Sequence, residues 1–187
     1  AVTSATGYYL YDNFTSSLVD TVIGATSYIH TPLLTDTLYE MIIRAYNGNG
    51  SGIASTAASV STHAAVPTGL TLDSRTTETI AWSWDDGGQT SFYPLNVTLS
   101  TTTGWTSSTS WLETGLSANI AYTVKVKAKN ADAVPTDYGG SLTRYTAQNP
   151  PESLSFSSTT VNSITVTASG TFPNNGTGSA VINFNNG

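Results

Sequence analysis

The sequence predicts an all-β protein made of repeated two-sheet modules. Three observations predict it: alternation of apolar and polar residues, near absence of helical periodicity, and an internal repeat with a period of roughly 84 residues. Alternation is clear in Leu70-Thr-Leu72, Ile80-Ala-Trp82-Ser-Trp84, Leu95-Asn-Val97-Thr-Leu99, Tyr122-Thr-Val124-Lys-Val126-Lys-Ala128 and Ile164-Thr-Val166-Thr-Ala168. Each run sends apolar side chains to one face and polar ones to the other, as in a half-buried antiparallel strand. Only the segment from Leu33 to Ala45 offers a helix, and Tyr39 to Ala45 alternates equally well as a strand. The turn clusters Gly48-Asn-Gly-Ser-Gly52, Asp85-Asp-Gly-Gly88 and Asn174-Asn-Gly176 punctuate the chain.

The repeat organises these strands. Pro67, Leu70 and Leu72 recur one period later as Pro151, Leu154 and Phe156, and at the same offset Ile80, Trp82 and Trp84 recur as Ile164, Val166 and Ala168. A different segment repeats upstream: Tyr39, Ala45 and Asn47 recur, at an offset only one position shorter, as Tyr122, Ala128 and Asn130. Leucines precede both tyrosines, as Leu34 and Leu116. Two separate segments thus share one period, and the chain holds parts of three copies of one module.

These residues resemble the fibronectin type III family. Its pattern of Pro and Leu in the first strand, Trp in the second, and a late Leu…Tyr…Val-x-Ala-x-Asn signature is met here by Pro67, Leu70, Trp84, Leu116, Tyr122, Val126, Ala128 and Asn130. The resemblance implies tandem seven-stranded Greek-key sandwiches, one complete and two partial. Trp84 is then a core anchor between the sheets. Tyr39 and Tyr122 stand at tyrosine corners, where the hydroxyl bonds back to the preceding loop. The structural core expected on this basis is Trp84, Tyr39, Tyr122, Leu34, Leu116, Ala45 and Ala128.

The period also assigns the modules. Residues 1–63 carry late strands, 64–147 a whole module, and 148–187 early strands at Leu154–Ser157, Ser163–Ser169 and Gly178–Phe184. Short linkers at Ala64-Ala-Val66 and Ala147-Gln-Asn-Pro150 favour end-to-end stacking. Half a sandwich leaves an apolar face and open edges. Two expectations follow. The chain is a segment of a longer array, or the strands after Pro151 complete the Ala1–Thr62 half of a neighbouring copy, head to tail.

Composition excludes several functions. Three lysines and three arginines against 12 acids, net charge −6 and pI near 4.5, cannot neutralise a nucleic-acid backbone. Cysteine is absent, so there is no disulfide scaffold, thiolate metal site or Cys nucleophile. No apolar run approaches the length of a membrane helix, and no signal-like segment opens the chain. Ser and Thr make up 57 of 187 residues, which suits a neutral, extracellular or cell-surface protein.

No catalytic, cofactor-binding or metal residue is expected. His30, read as lying in a strand, and His63, at a module end, are structural or surface residues, and no nucleophile elbow, phosphate loop or zinc-helix motif occurs. Asp85 and Asp86 read as a solvated turn rather than a cation site. Trp105 and Trp111 bracket a Ser/Thr run. Trp111 is expected to pack inward, while Trp105 covers an edge or stacks on a sugar. Tyr8, Tyr9 and Tyr11 straddle both faces of one strand, which makes Tyr9 a candidate partner contact. Glycosylation sequons stand at Asn13, Asn49, Asn96 and Asn175, with Asn49 and Asn175 in turns. The functional expectation is a non-enzymatic extracellular structural protein, part of a surface filament or adhesive array. Its expected partners are copies of itself, neighbouring modules or glycans. The alternative is an accessory spacer or weak carbohydrate binder of a secreted polysaccharide-degrading enzyme.

Overall fold

The computed structural model describes residues 4–170, and every regular element in it is a strand. The chain forms two compact units. Unit 1 comprises the residues up to Val66 with Gly87–Ser91 and Lys127–Asp137; unit 2 comprises Pro67–Asp86, Phe92–Val126 and the residues after Asp137.

In unit 1, β1 (Gly7–Asp12), β2 (Leu18–Ile23), β3 (Leu38–Asn47), β4 (Gly50–Ala54) and β5 (Ala58–Ser61) form one antiparallel sheet. The central pair β1–β3 sets the faces. Leu10 stands opposite Ile43 and Tyr8 opposite Ala45, while Tyr9 on the other face stands opposite Arg44. Tyr39 and Met41 follow Ile43 onto the first face, with Val60 of β5 opposite Tyr39.

The β1–β2 turn is held by Asp12, whose carboxylate accepts hydrogen bonds from the Thr15 N–H at 2.8 Å and the Thr15 hydroxyl at 3.0 Å. The backbone bond from Thr15, first among several causes, lowers the Asp12 pKa below its ordinary 3.8. A depressed carboxylate contributes stability above its unfolded pKa and loses it as pH falls through the folded value. Acid titration followed on the Thr15 amide resonance is therefore expected to break below pH 3.8. A midpoint at or above that value would contradict the assignment.

Unit 2 contains β6 (Thr71–Arg75), β7 (Ile80–Ser83), β8 (Phe92–Asn96), β9 (Thr101–Thr102), β10 (Ser110–Glu113), β11 (Ala121–Ala128, whose last two residues belong to unit 1) and β12 (Leu142–Tyr145). These seven strands make two sheets, β10-β7-β6 and β12-β11-β8-β9. Ile80 and Trp82 of the first sheet pack on Tyr122 and Val124 of the second and on Leu116 of the β10–β11 connection, with Leu70, Leu72, Trp111 and Leu142 around them. The sheets meet because the alternation of β7 and β11 sends every second side chain inward. A hairpin, β13 (Ser153–Ser157) with β14 (Thr165–Ser169), follows and places Phe156 opposite Val166 and Leu154 opposite Ala168. The expected strand at Gly178–Phe184 lies outside the described residues.

One strand departs from its expected register. Leu95, Val97 and Leu99 do not line the core; Phe92, Pro94 and Asn96 point inward, and Val97 and Leu99 are exposed. The cause is Asn96. Its Oδ1 accepts the N–H groups of Thr98 and Leu99 at 2.8 and 3.0 Å, which ends the strand in a turn.

Candidate functional site

The two tyrosine corners have matching geometry. The Tyr122 hydroxyl accepts the Ser117 N–H at 2.9 Å, and the Tyr39 hydroxyl accepts the Leu34 N–H at 3.0 Å. What surrounds them differs. Trp84, Leu116, Tyr122 and Ala128 are buried, whereas Tyr39 and Ala45 are half-buried. Leu34, expected in the core by its match to Leu116, is 72% exposed against 5% for Leu116. Tyr39 anchors the backbone of the Leu34 loop, and its ring meets that of His30 edge to face at 6.0 Å.

The same contrast runs along the whole first face of unit 1. Tyr8, Leu10, Val22, Tyr39, Met41, Ile43 and Val60 line an apolar groove of about 550 Å³, together with Ala25, Thr26, Ser27, Tyr28, His30 and Leu33 of the β2–β3 connection. His30 sits in the connection between β2 and β3 and not in a strand, since Pro32 has no N–H to give a ladder. Met41, Ile43 and Ala45 stand one repeat before Val124, Val126 and Ala128. Val124, Val126 and Ala128 are buried, Val124 in one cluster with Ile80 and Trp82 of β7, while Ile43 is exposed.

The core of unit 2 holds a polar group that the sequence did not single out. Glu113 is buried, and its carboxylate accepts the Trp82 indole N–H at 3.2 Å, the Asn96 side-chain amide at 2.6 Å and the Thr101 hydroxyl at 3.3 Å. Three donors on one acceptor-only group form a satisfied network. Asn96 is thereby removed as a glycosylation site, because the nitrogen that would carry the glycan is fully buried and already bonded. Asn13 is exposed, its amide bonded to Glu40, and Asn49 is exposed in the β3–β4 turn. Asn175 lies outside the described residues.

The outer faces carry aromatics. Tyr93 meets Trp105 edge to face at 5.3 Å between ring centroids, with Trp105 39% exposed, and Lys125 Nζ lies 4.2 Å from the Tyr138 ring centre. In unit 1, Tyr9 stacks on Tyr46 at 4.3 Å and Arg44 lies over the Tyr11 ring at 5.9 Å. Trp111 packs against the core. Among the described residues no group of three or more His, Asp or Glu could hold a metal ion.

No family model matches the chain. It is 35% identical over 142 residues to chitinase A1 of Niallia circulans, and 29% identical over 141 residues to fibronectin type III domain-containing protein 7 of Mus musculus. These matches cover 67% and 73% of this chain but only 19% of each relative. Among solved structures, a two-domain fibronectin type III segment of chicken tenascin aligns over 78% of this chain and 87% of its own, with a TM-score of 0.53 and 19% identity. The chain has the fibronectin type III fold.

In that fold, β10-β7-β6 and β12-β11-β8-β9 are the two sheets of one sandwich, and the unit 1 sheet repeats the second of them. Domains of the fibronectin type III fold are generally non-catalytic and typically extracellular or surface-borne. Among the described residues no helix is long and apolar enough to cross a membrane. The fold itself assigns no ligand.

Proposed function

We propose that this chain is a non-enzymatic segment of an extracellular structural or adhesive array, and that copies associate head to tail. The β13–β14 hairpin of one copy would cover the open face of unit 1 in the next. The observation that carries this reading is the apolar groove over Tyr8, Leu10, Met41 and Ile43. The repeat suggests its occupant. In unit 2 Val124, at the position matching Met41, packs in one cluster with Leu70, Leu72, Ile80 and Trp82. Their counterparts in the hairpin are Leu154, Phe156, Ile164 and Val166, of which the first three are exposed. Joining the two surfaces removes apolar area from water on both sides.

Sedimentation of the purified chain over a wide concentration range tests it. The expected result is a mass that rises above the 19.5 kDa monomer with concentration. Phe156→Asp or Met41→Asp should each abolish the rise, since either buries an unpaired charge. A monomer at every concentration, or association indifferent to both substitutions, would overturn it.

The second reading, an accessory module of a secreted polysaccharide-degrading enzyme, is favoured by the likeness to chitinase A1 and by the exposed Trp105. It leaves the chain monomeric in the same experiment.

A further inference from the structure

We propose that the outer face of the β12-β11-β8-β9 sheet in unit 2, at Tyr93, Trp105, Lys125 and Tyr138, binds an acidic, uronate-bearing polysaccharide. The inference does not depend on head-to-tail association, which uses other surfaces. Strand alternation builds the site. Phe92 and Pro94 point inward, so Tyr93 points out; Val124 and Val126 point inward, so Lys125 points out.

The rings form one cluster. Tyr93 and Trp105 meet at 5.3 Å and 60°, and the Tyr138 ring lies beneath Lys125 Nζ at 4.2 Å. Burial, first, and the Tyr93 phenol, second, raise the Tyr138 pKa. Aromatic faces of this size take the apolar C–H face of a pyranose ring.

The charge selects among sugars. The chain carries 12 acids and six bases. Yet the outward strand positions around the cluster, Tyr93, Leu95, Thr123, Lys125 and Thr143, include no carboxylate. An ammonium held against a ring, with hydroxyls beside it and no acid on the strand face, fits a ligand that brings its own carboxylate. A ring pair beside a ring-bound cation also occurs in unit 1, there with the rings stacked. Tyr9, one repeat before Tyr93, stacks on Tyr46 in unit 1, where Arg44 lies over Tyr11.

Native electrophoresis of the whole chain through gels containing sodium alginate, with dextran gels as the neutral control, tests the proposal. Retardation is expected in alginate only and should weaken as NaCl is added. Trp105→Ala should weaken binding about tenfold and Lys125→Gln severalfold. Lys125→Gln removes the charge and its contact with the Tyr138 ring but no core side chain, and it decides the matter alone if Trp105→Ala impairs folding, as judged by the emission of the remaining tryptophans. Unchanged mobility in alginate, equal retardation in dextran, or alginate binding unaffected by Lys125→Gln would each overturn it. Phe156→Asp, which blocks the proposed self-association, should leave the retardation intact.

Discussion

Glu113→Ala is expected to lower the unfolding free energy of the unit 2 sandwich by about 2–6 kcal/mol. The substitution leaves the Trp82 indole N–H and the Asn96 amide without an acceptor in a place water does not reach. Each orphaned donor costs about 1–3 kcal/mol. Glu113→Gln keeps one carbonyl oxygen but turns an amide toward the donors, so it should cost less than the alanine change and still more than nothing. A double-mutant cycle with Trp82→Phe should give a coupling of about 0.5–3 kcal/mol, as for residues sharing one network. Urea unfolding followed by tryptophan emission reads this unit alone, because all four tryptophans lie between residues 82 and 111. Additive effects in the cycle would mean that the carboxylate does not hold the indole.

The parts of this fold that were legible in the sequence are those fixed by apolar spacing. Tyr39 and Tyr122 announce their corners because the hydroxyl must reach a backbone N–H five residues back, and the repeat keeps that geometry. Trp82, Trp84 and the β11 alternation likewise place one sheet on another. The inward position of Asn96 was not legible. Hydrophobic periodicity counts a polar residue as outward, while here a buried carboxylate on another strand satisfies it. Leu34 was misplaced for a related reason: a repeat transmits the identity of a position but not the presence of the sheet that covers it. The aromatic faces were legible only in part, since alternation separates Tyr8 from Tyr9 without saying what each meets. Tyr8 and Tyr9 are the same residue type in sequence, and only cross-strand register decides that one lines the groove while the other stacks on Tyr46.

Phe92→Ala is expected to cost about 3–5 kcal/mol, whereas Tyr8→Ala, one repeat earlier at the matching strand position, should cost far less in the dilute monomer. Phe92 is fully buried with its ring edge to face against Trp84 at 5.9 Å, so truncation opens a cavity between two packed sheets. Tyr8 lines an open groove, and water can follow the missing ring without leaving a void. Tryptophan emission measures the first variant. Amide hydrogen exchange along β1 and β3 measures the second, because unit 1 contains no tryptophan. Concentration sharpens the contrast. Should a second copy cover the groove, the cost of Tyr8→Ala should grow with protein concentration and appear as lost association, while that of Phe92→Ala stays constant. Equal costs at high dilution would mean that the unit 1 face is already closed in the monomer, and the head-to-tail arrangement would have no surface left to use.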